Sequence, residues 1–454
     1  MLGAVALVGL SGCRGALPVA RTVVSGRDSM RVAPVSRGIV RETHWLAEGP
    51  WVAEVVRVDL QRCDCRLDGV HAFDGIRGRE RVSAMAQRLT TRGVSVLAAI
   101  NADFFDLKTG DVENNQVIGG EWTKGNGVSE SPHHTFPTVH AQVAQRSNGE
   151  VVIGRFRMRA VVTALRGQDS GSRRDTVVVD AINPQRRLDR RVVLYSWRHG
   201  DATPTSGGVV YSGSTQVDPD GGPPTAARLA AAAQRDSARL AADTVRREVI
   251  EVALVPVGGG TTAIPSGRAS YRVLGRGSGG AGGQKIPNGG IVLSVRRDDA
   301  SYRMVSGWTE RDEVMVEVQA VGLDGAPVAG VVTLVGGWGE LSADGVDRSA
   351  RVDSLEGTFP RFSAARHPRT AVGVARRGRE VLLVGVDGRG SNGSAGMSLV
   401  ELGRWMGRLG ATSAANLDGG GSTTVWVRGA GVVNRPSDPT GERPVGNGLF
   451  VVGR

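Results

Sequence analysis

Lysine is almost missing from this chain: of 56 basic residues only Lys108, Lys124 and Lys285 are lysines. The arginines that make up the rest are scattered among acids, as in Arg173-Arg174-Asp175 and Asp189-Arg190-Arg191, and never form a long run. A net charge of +11 without a contiguous basic element or a nucleic-acid motif gives no basis for a nucleic-acid partner. Aromatics are also sparse, at 4%, against 66 glycines, which excludes a mainly helical bundle and favours turns and short strands. No apolar run reaches the roughly 20 residues that span a bilayer as a helix. The G-x-S-x-G elbow of serine hydrolases is absent. Histidines are few; Pro132-His133-His134 with His140 lacks a carboxylate at metal-ligand spacing, so no metal site is assigned. No cofactor is expected, and a divalent cation stays open.

Only three cysteines are present. The first closes Leu10-Ser11-Gly12-Cys13 after a short apolar stretch, and that tetrapeptide resembles a bacterial lipobox, in which the cysteine is lipidated. A truncated ordinary signal peptide or a wrong start site would explain the stretch as well; either signal reading implies an exported, cell-envelope protein, lipid-anchored through Cys13 or periplasmic. Cys63 and Cys65 then form either a small disulfide in an oxidising compartment or two idle thiols. Residues 14–40 mix Arg, Ser, Gly and Pro without periodicity and read as a flexible tether. The folded domain is placed at 41–454, with order beginning near Trp51 and an Ala/Arg-rich helical insertion at about 217–247.

Within that domain, "WVAEVVRVDL", "VSVLAAI", "VVLYSW", "GGVVYSG", "VIEVALVPV", "GGIVLSV", "EVMVEVQA" and "GVVTLVGG" read as strands. "TAVGVARRGREVLLVGVDGR" reads as a hairpin turning at Arg376-Arg377-Gly378. "RVSAMAQRLTTRG" predicts a helix with Ser83 as N-cap. The strongest helix is "SLVELGRWMGRLGA": Ser398 and Glu401 have capping-box spacing, Leu399, Leu402, Met406 and Leu409 make a stripe, and Gly410 ends it. Strands and helices interleave with frequent hairpins, so the expected class is α+β, with mixed sheets and a few packed helices.

The most conspicuous stretch is "ANLDGGGSTT", residues 415–424. A phosphate-binding P-loop would need a lysine and a helix after the glycines; here "TTVWVRG" follows, β-branched and strand-like, and the dinucleotide pattern fails for the same reason. Asn416 and Asp418 lie two apart at a strand end, so they share a face. Asn101-Ala102-Asp103 repeats that spacing at the end of another apolar run, and Asp387 closes "VLLVGVDGR" beside Arg389. Each alone reads as an Asx turn; three together favour a site for polyols and phosphates.

These residues carry a resemblance. "RHPRTAVGV", "LLVGVDGRGSNGSAGMSLVELGRWMGRLGATSAANLDGGGSTTVW", "VVNRPSDPTGERPVGNGLFVV" and "AAINADFFD" resemble the phosphodiester glycosidase family, with a looser match in "AINPQRRLDRRVVLYS" and "IPNGGIVLSV". The sequence departs from the family where Asn101-Ala102-Asp103-Phe104 stands in place of a motif in which many members carry glycine. The resemblance implies hydrolysis of the glycosidic C–O bond of a sugar-1-phosphodiester, N-acetylglucosamine-like, leaving a phosphomonoester. Such a site needs one carboxylate and neutralisation of a departing phosphate. Asp418 is then the first choice for the catalytic carboxylate and Asp387 the second; Glu401 is either catalytic or simply the capping residue. Arg369 and Arg389 would bind phosphate. Asn101, Asn416 and Asn447, with Asp103, would meet the sugar, Gly419, Gly420 and Gly421 would offer backbone N–H groups, and Thr370, Ser422 and Thr423 would hydrogen-bond alongside. The alternative is a non-catalytic carbohydrate-binding or exopolysaccharide-associated envelope lipoprotein of the same fold.

Overall fold

The computed structural model describes residues 21–127, 138–166, 173–184, 190–204, 248–258, 262–280 and 282–454. Cys13, His133, His134, "GGVVYSG" and the insertion at 217–247 lie outside them. Three sheets of nine, fourteen and five strands organise the described chain. Every pairing of strands is antiparallel except that of Ala181–Ile182 with Val192–Ser196. The chain is therefore β-rich; its helices are short and few, and the helical share implied by an α+β reading is larger than the one observed.

The nine-stranded and five-stranded sheets face each other. Val56, Val58, Val372, Val374, Val381 and Leu383 from the first pack against Leu67, Ala98, Ile100, Val425, Leu449 and Val451 from the second. Alternation along each strand leaves a second apolar face on both sheets, and each is covered by a ten-residue helix. Leu399–Arg408 buries Leu399, Leu402, Trp405 and Met406 against Val384 and Val386, while Val82–Thr91 buries Met85 and Ala86 near Phe450 and Val452. The result is a helix–sheet–sheet–helix stack. The fourteen-stranded sheet closes around its own core of Val, Leu and Ile residues with Trp122, Tyr271 and Trp308.

Two expectations are corrected here. Residues 21–36 are not a flexible tether: Arg21–Ser25, Asp28–Ser36 and Ile39–Leu46 are consecutive strands extending the edge of the nine-stranded sheet. Arg21–Ser25 is exposed throughout, so ladder hydrogen bonds to Asp28–Ser36 and not burial hold it, and no hydrophobic period is needed. The helix Val82–Thr91 starts at Arg81, with Ser83 inside its first turn; the Glu442 carboxylate accepts from the Ser83 N–H at 2.9 Å and its hydroxyl at 2.5 Å, so a distant acid does the capping.

Other local readings hold. The 369–386 hairpin turns through Arg376, Arg377 and Gly378, all with positive φ (50°, 54° and 76°). Cys63 and Cys65 form a disulfide. Ser398 and Glu401 make the full capping box, each satisfying the other's backbone N–H. Replacing Ser398 with Ala should therefore lower unfolding free energy by about 1 kcal/mol, read as a shifted urea midpoint with an unchanged slope.

Candidate functional site

The glycine stretch is a crossover between two facing sheets. Ser413–Asn416 belongs to the nine-stranded sheet and Val425–Val427 to the five-stranded one, so residues 417–424 must pass from one to the other. Asn101, at the end of Val96–Asn101, pins that passage. Its Nδ2 donates to the Asp418 carbonyl at 2.6 Å, and its Oδ1 accepts from the Thr370 hydroxyl at 2.8 Å and the Thr424 N–H at 3.0 Å. The Asp418 N–H donates to the Ala102 carbonyl at 2.9 Å. Asp418 is thereby gripped on both sides of its Cα, and its side chain is the part left to do chemistry.

Burial pushes the Asp418 carboxyl up to about 6; the nearby Ser422 hydroxyl, the Arg443 guanidinium and the Gly419 N–H pull the other way. A second acid, Glu113, stands in its field. Burial first, then the charges of Asp103, Asp418 and Asp106, raise Glu113 to about 8, against the pull of Lys124. Two acids whose environments push their pKa values apart are the usual means of holding a base and an acid at one pH. Glu113 sits at the base of the 104–113 turn, where its N–H donates to the Phe104 carbonyl at 2.9 Å. Phe104 in turn packs edge-on against Trp338 and Phe362, forming an aromatic wall beside the acids.

Glycine at 420 and 421 lets charged groups come close. Gly420 has φ +61°, and a Cβ there would lie 3.2 Å from Arg389 Nη2; one at Gly421 would collide with both Asp438 and Arg443. Those two form a bidentate pair at 2.7 and 3.0 Å. Arg389, itself bent into positive φ at 56°, is exposed, and its one side-chain hydrogen bond among the described residues is a 3.4 Å bond to the Ser437 hydroxyl. Beside the loop, the hydroxyls of Thr423 and Thr424 are buried without a hydrogen-bond partner among the described residues. Buried polar atoms are rarely left so.

Several expected site residues serve the scaffold instead. Arg369 is buried, and its guanidinium donates to the carbonyls of Met397, Phe362 and Ala365 at 2.6–2.9 Å; burial lowers it to about 9. Phosphate would have to displace that network, so Arg369 is no phosphate ligand. Glu401 is consumed by its capping box and by Arg366, which corrects the catalytic reading. Asp103 is buried and accepts from Asn114 and Gln116; burial raises it to about 7. Asn447 accepts from the Asp103 N–H and donates to Gln116, Thr370 bonds Asn101, and Asn416 donates to the Trp338 and Leu417 carbonyls; these groups hold the site from behind and do not meet a sugar. The Gly420 N–H is spent on the Pro368 carbonyl, so it is not a free donor.

Asp387 ends its strand on the same sheet edge as Asp418, with one strand between them. It is nonetheless enclosed: the Arg435 N–H donates to it at 2.9 Å and Asn392 at 3.5 Å, and burial raises it to about 6. Glu113, whose carboxyl feels the charge of Asp418, is a further candidate acid that the sequence reading did not include. Neither Glu113 nor the Asp438–Arg443 pair stands out in sequence; "GDVENN" and "SDPTGERP" look like ordinary turns, and only the tertiary fold brings them to the glycines.

Raised carboxyl pKa values have a consequence for stability. Asp103, Asp387, Asp418 and Glu113 keep protons at a pH where the unfolded chain has shed them, so their contribution is present at low pH and lost as pH rises towards 8. Replacing Glu113 with Gln removes the highest of these. Its melting temperature should exceed that of the parent at pH 9 and converge with it at pH 5.

Comparison with known proteins agrees with this architecture. Residues 253–452 match the phosphodiester glycosidase family. A bovine N-acetylglucosamine-1-phosphodiester alpha-N-acetylglucosaminidase is 31% identical over 163 residues, which is 35% of this chain and only 29% of that protein. A Synechocystis protein of known structure superimposes with a TM-score of 0.61 at 16% identity, covering 96% of this chain and 76% of its own. A Burkholderia pseudomallei protein does so with a TM-score of 0.56 at 24% identity, covering 90% and 76%. At such identities the two structures speak for the fold alone. The resemblance carried by the glycine loop and its flanks thus falls within residues 253–452, the part of the chain that is similar to the phosphodiester glycosidase family.

Proposed function

We propose that the chain hydrolyses the glycosidic C–O bond of a sugar-1-phosphodiester of the N-acetylglucosamine-1-phosphodiester kind, releasing the sugar and a phosphomonoester. One observation carries the reading: a desolvated carboxyl, Asp418, lies two residues before Gly420, where the lack of a Cβ lets the exposed guanidinium of Arg389 approach the loop. The named activity of the bovine relative supports the same chemistry. Asp418 acts as the carboxylate that attacks the anomeric carbon or activates water. Arg389 takes the departing phosphate, whose charge it neutralises through two oxygens. Glu113, protonated at neutral pH, donates a hydrogen bond or proton to the leaving group. The Ser422 hydroxyl holds the Asp418 carboxylate in place.

Export belongs to the same proposal. The Cys63–Cys65 disulfide favours an oxidising compartment, in line with the lipobox-like Leu10-Ser11-Gly12-Cys13 and an envelope location.

Turnover of a nitrophenyl phosphodiester of N-acetylglucosamine-1-phosphate tests the reading. Asp418→Asn should lower kcat by about 10²–10⁴-fold, and Arg389→Ala should fall comparably while Glu401→Gln stays near parental activity. The parent's kcat/KM should rise through a limb near pH 6 and fall through one near pH 8, with Glu113→Gln lacking the upper limb. Reaction in heavy-oxygen water should label the sugar; label in the phosphate instead would mean P–O cleavage, and an inert parent that still binds sugar would favour a non-catalytic carbohydrate-binding protein.

A further inference from the structure

The end of the nine-stranded sheet opposite Asp418 is an assembly of arginine-bearing turns. The turn after Asp28–Ser36 carries Arg37, the one after Trp51–Asp59 carries Arg62, the 376–379 turn carries Arg377, and Arg454 follows the strand Asn447–Gly453. The pairing of Asp59 with Glu380, and of Leu60 with Arg379, brings these turns to one edge. Gly38, at φ +74°, lies so close to Arg62 and Cys63 that a Cβ would sit 2.7 Å from the Cys63 nitrogen, which clamps the Arg37 turn onto the disulfide-closed one. Two adjoining clefts of about 480 and 440 Å³ open there, both lined by Arg37 and Arg62.

The charge at this end is uncompensated. Asp59 and Glu380 are engaged by Arg376, and Glu380 also by Arg57. Arg37, Arg62, Arg377 and Arg454 are all exposed, and none is in an ion pair among the described residues; Asp64 is the one acid nearby without such a partner. The direction of the chain adds a second observation. Arg21–Ser25 runs antiparallel to Asp28–Ser36 with Arg21 opposite Val32, so Arg21 lies five residues short of Arg37 along the neighbouring strand. Cys13 precedes Arg21 by eight residues, a reach of roughly 28 Å at most.

We propose that this arginine-bearing end is a docking surface for the anionic phospholipid headgroups of a membrane. Basic side chains near such a surface are drawn to its negative potential, and a single lipid chain anchors only weakly unless a basic patch assists it. The candidate site lies at the other end of the strands, roughly 20 Å away at 3.4 Å per residue. Docking would therefore turn Asp418 and Arg389 away from the bilayer, towards substrates beyond it. This surface is independent of the catalytic proposal, since none of its arginines takes part in that site.

Vesicle sedimentation of the full chain carrying Cys13→Ser, which removes any acyl anchor, tests the proposal. The protein should bind vesicles of phosphatidylcholine mixed with phosphatidylglycerol far better than phosphatidylcholine alone, and salt should weaken that difference. Each arginine neutralised should cost about fivefold, so Arg37→Gln/Arg62→Gln/Arg377→Gln should bind on the order of 100-fold more weakly. Arg272→Gln/Arg303→Gln/Arg311→Gln, exposed positions elsewhere, should bind as the parent does. An unchanged melting temperature shows that each variant folds. Equal binding to both vesicle types, an unaffected first triple variant or an equally weakened second one would overturn the proposal. So would capture of soluble inorganic polyphosphate at this end without any vesicle binding. Turnover by the first triple variant on a soluble substrate should match the parent whichever way the vesicle result falls.

Discussion

The side-chain amide of Asn101 is the point on which this architecture turns. Two facing sheets held by Val, Leu and Ile contacts could slide against each other, because apolar burial has no direction. Asn101 supplies direction: from the five-stranded sheet it reaches Thr370 in the nine-stranded sheet, the Asp418 carbonyl and the Thr424 N–H in one buried cluster. In a low-dielectric interior such bonds are costly to break without replacement. The glycine loop between the sheets is therefore held rigidly, although its residues have the least intrinsic stiffness in the chain.

Around that anchor, polar groups divide by depth. Asp103, Asn114, Gln116 and Asn447 form a satisfied network behind the loop and face no solvent. Asp418, Glu113 and Arg389 are less deeply enclosed, and Arg389 makes only one hydrogen bond among the described residues. The rear network fixes geometry; Arg389 retains unspent hydrogen-bonding and charge capacity. Satisfaction of hydrogen bonds, more than residue type, separates scaffold from site here. Arg369 and Arg389 make the point, since they are the same residue at the same sheet edge, one sealed by three carbonyls and the other exposed.

Much was legible in advance wherever local physics decides. The helix Leu399–Arg408, its capping box, the 369–386 hairpin and the strands around Ile100, Leu293 and Val384 follow from periodicity, caps and turn residues. Asp418 and the glycines stand out because an acid followed by three glycines after an apolar run is hard to explain as a plain turn. The strands between Arg21 and Leu46 were hidden, because ladder pairing at an edge needs no apolar alternation.

By itself, the sequence determined the strand-rich composition, the main helix and its cap, the similarity of residues 253–452 to a glycosidase family and the glycine loop as the candidate site. Only the tertiary structure decided that Glu113 comes within the field of Asp418, that Arg369 and Glu401 bond to the framework, and that Asp438 and Arg443 close over Gly421. The physical reason is the reach of the interactions involved. Propensity, capping and turn geometry act over a few residues and leave their mark in sequence, whereas desolvation and charge coupling join groups hundreds of positions apart that share nothing until the sheets have packed.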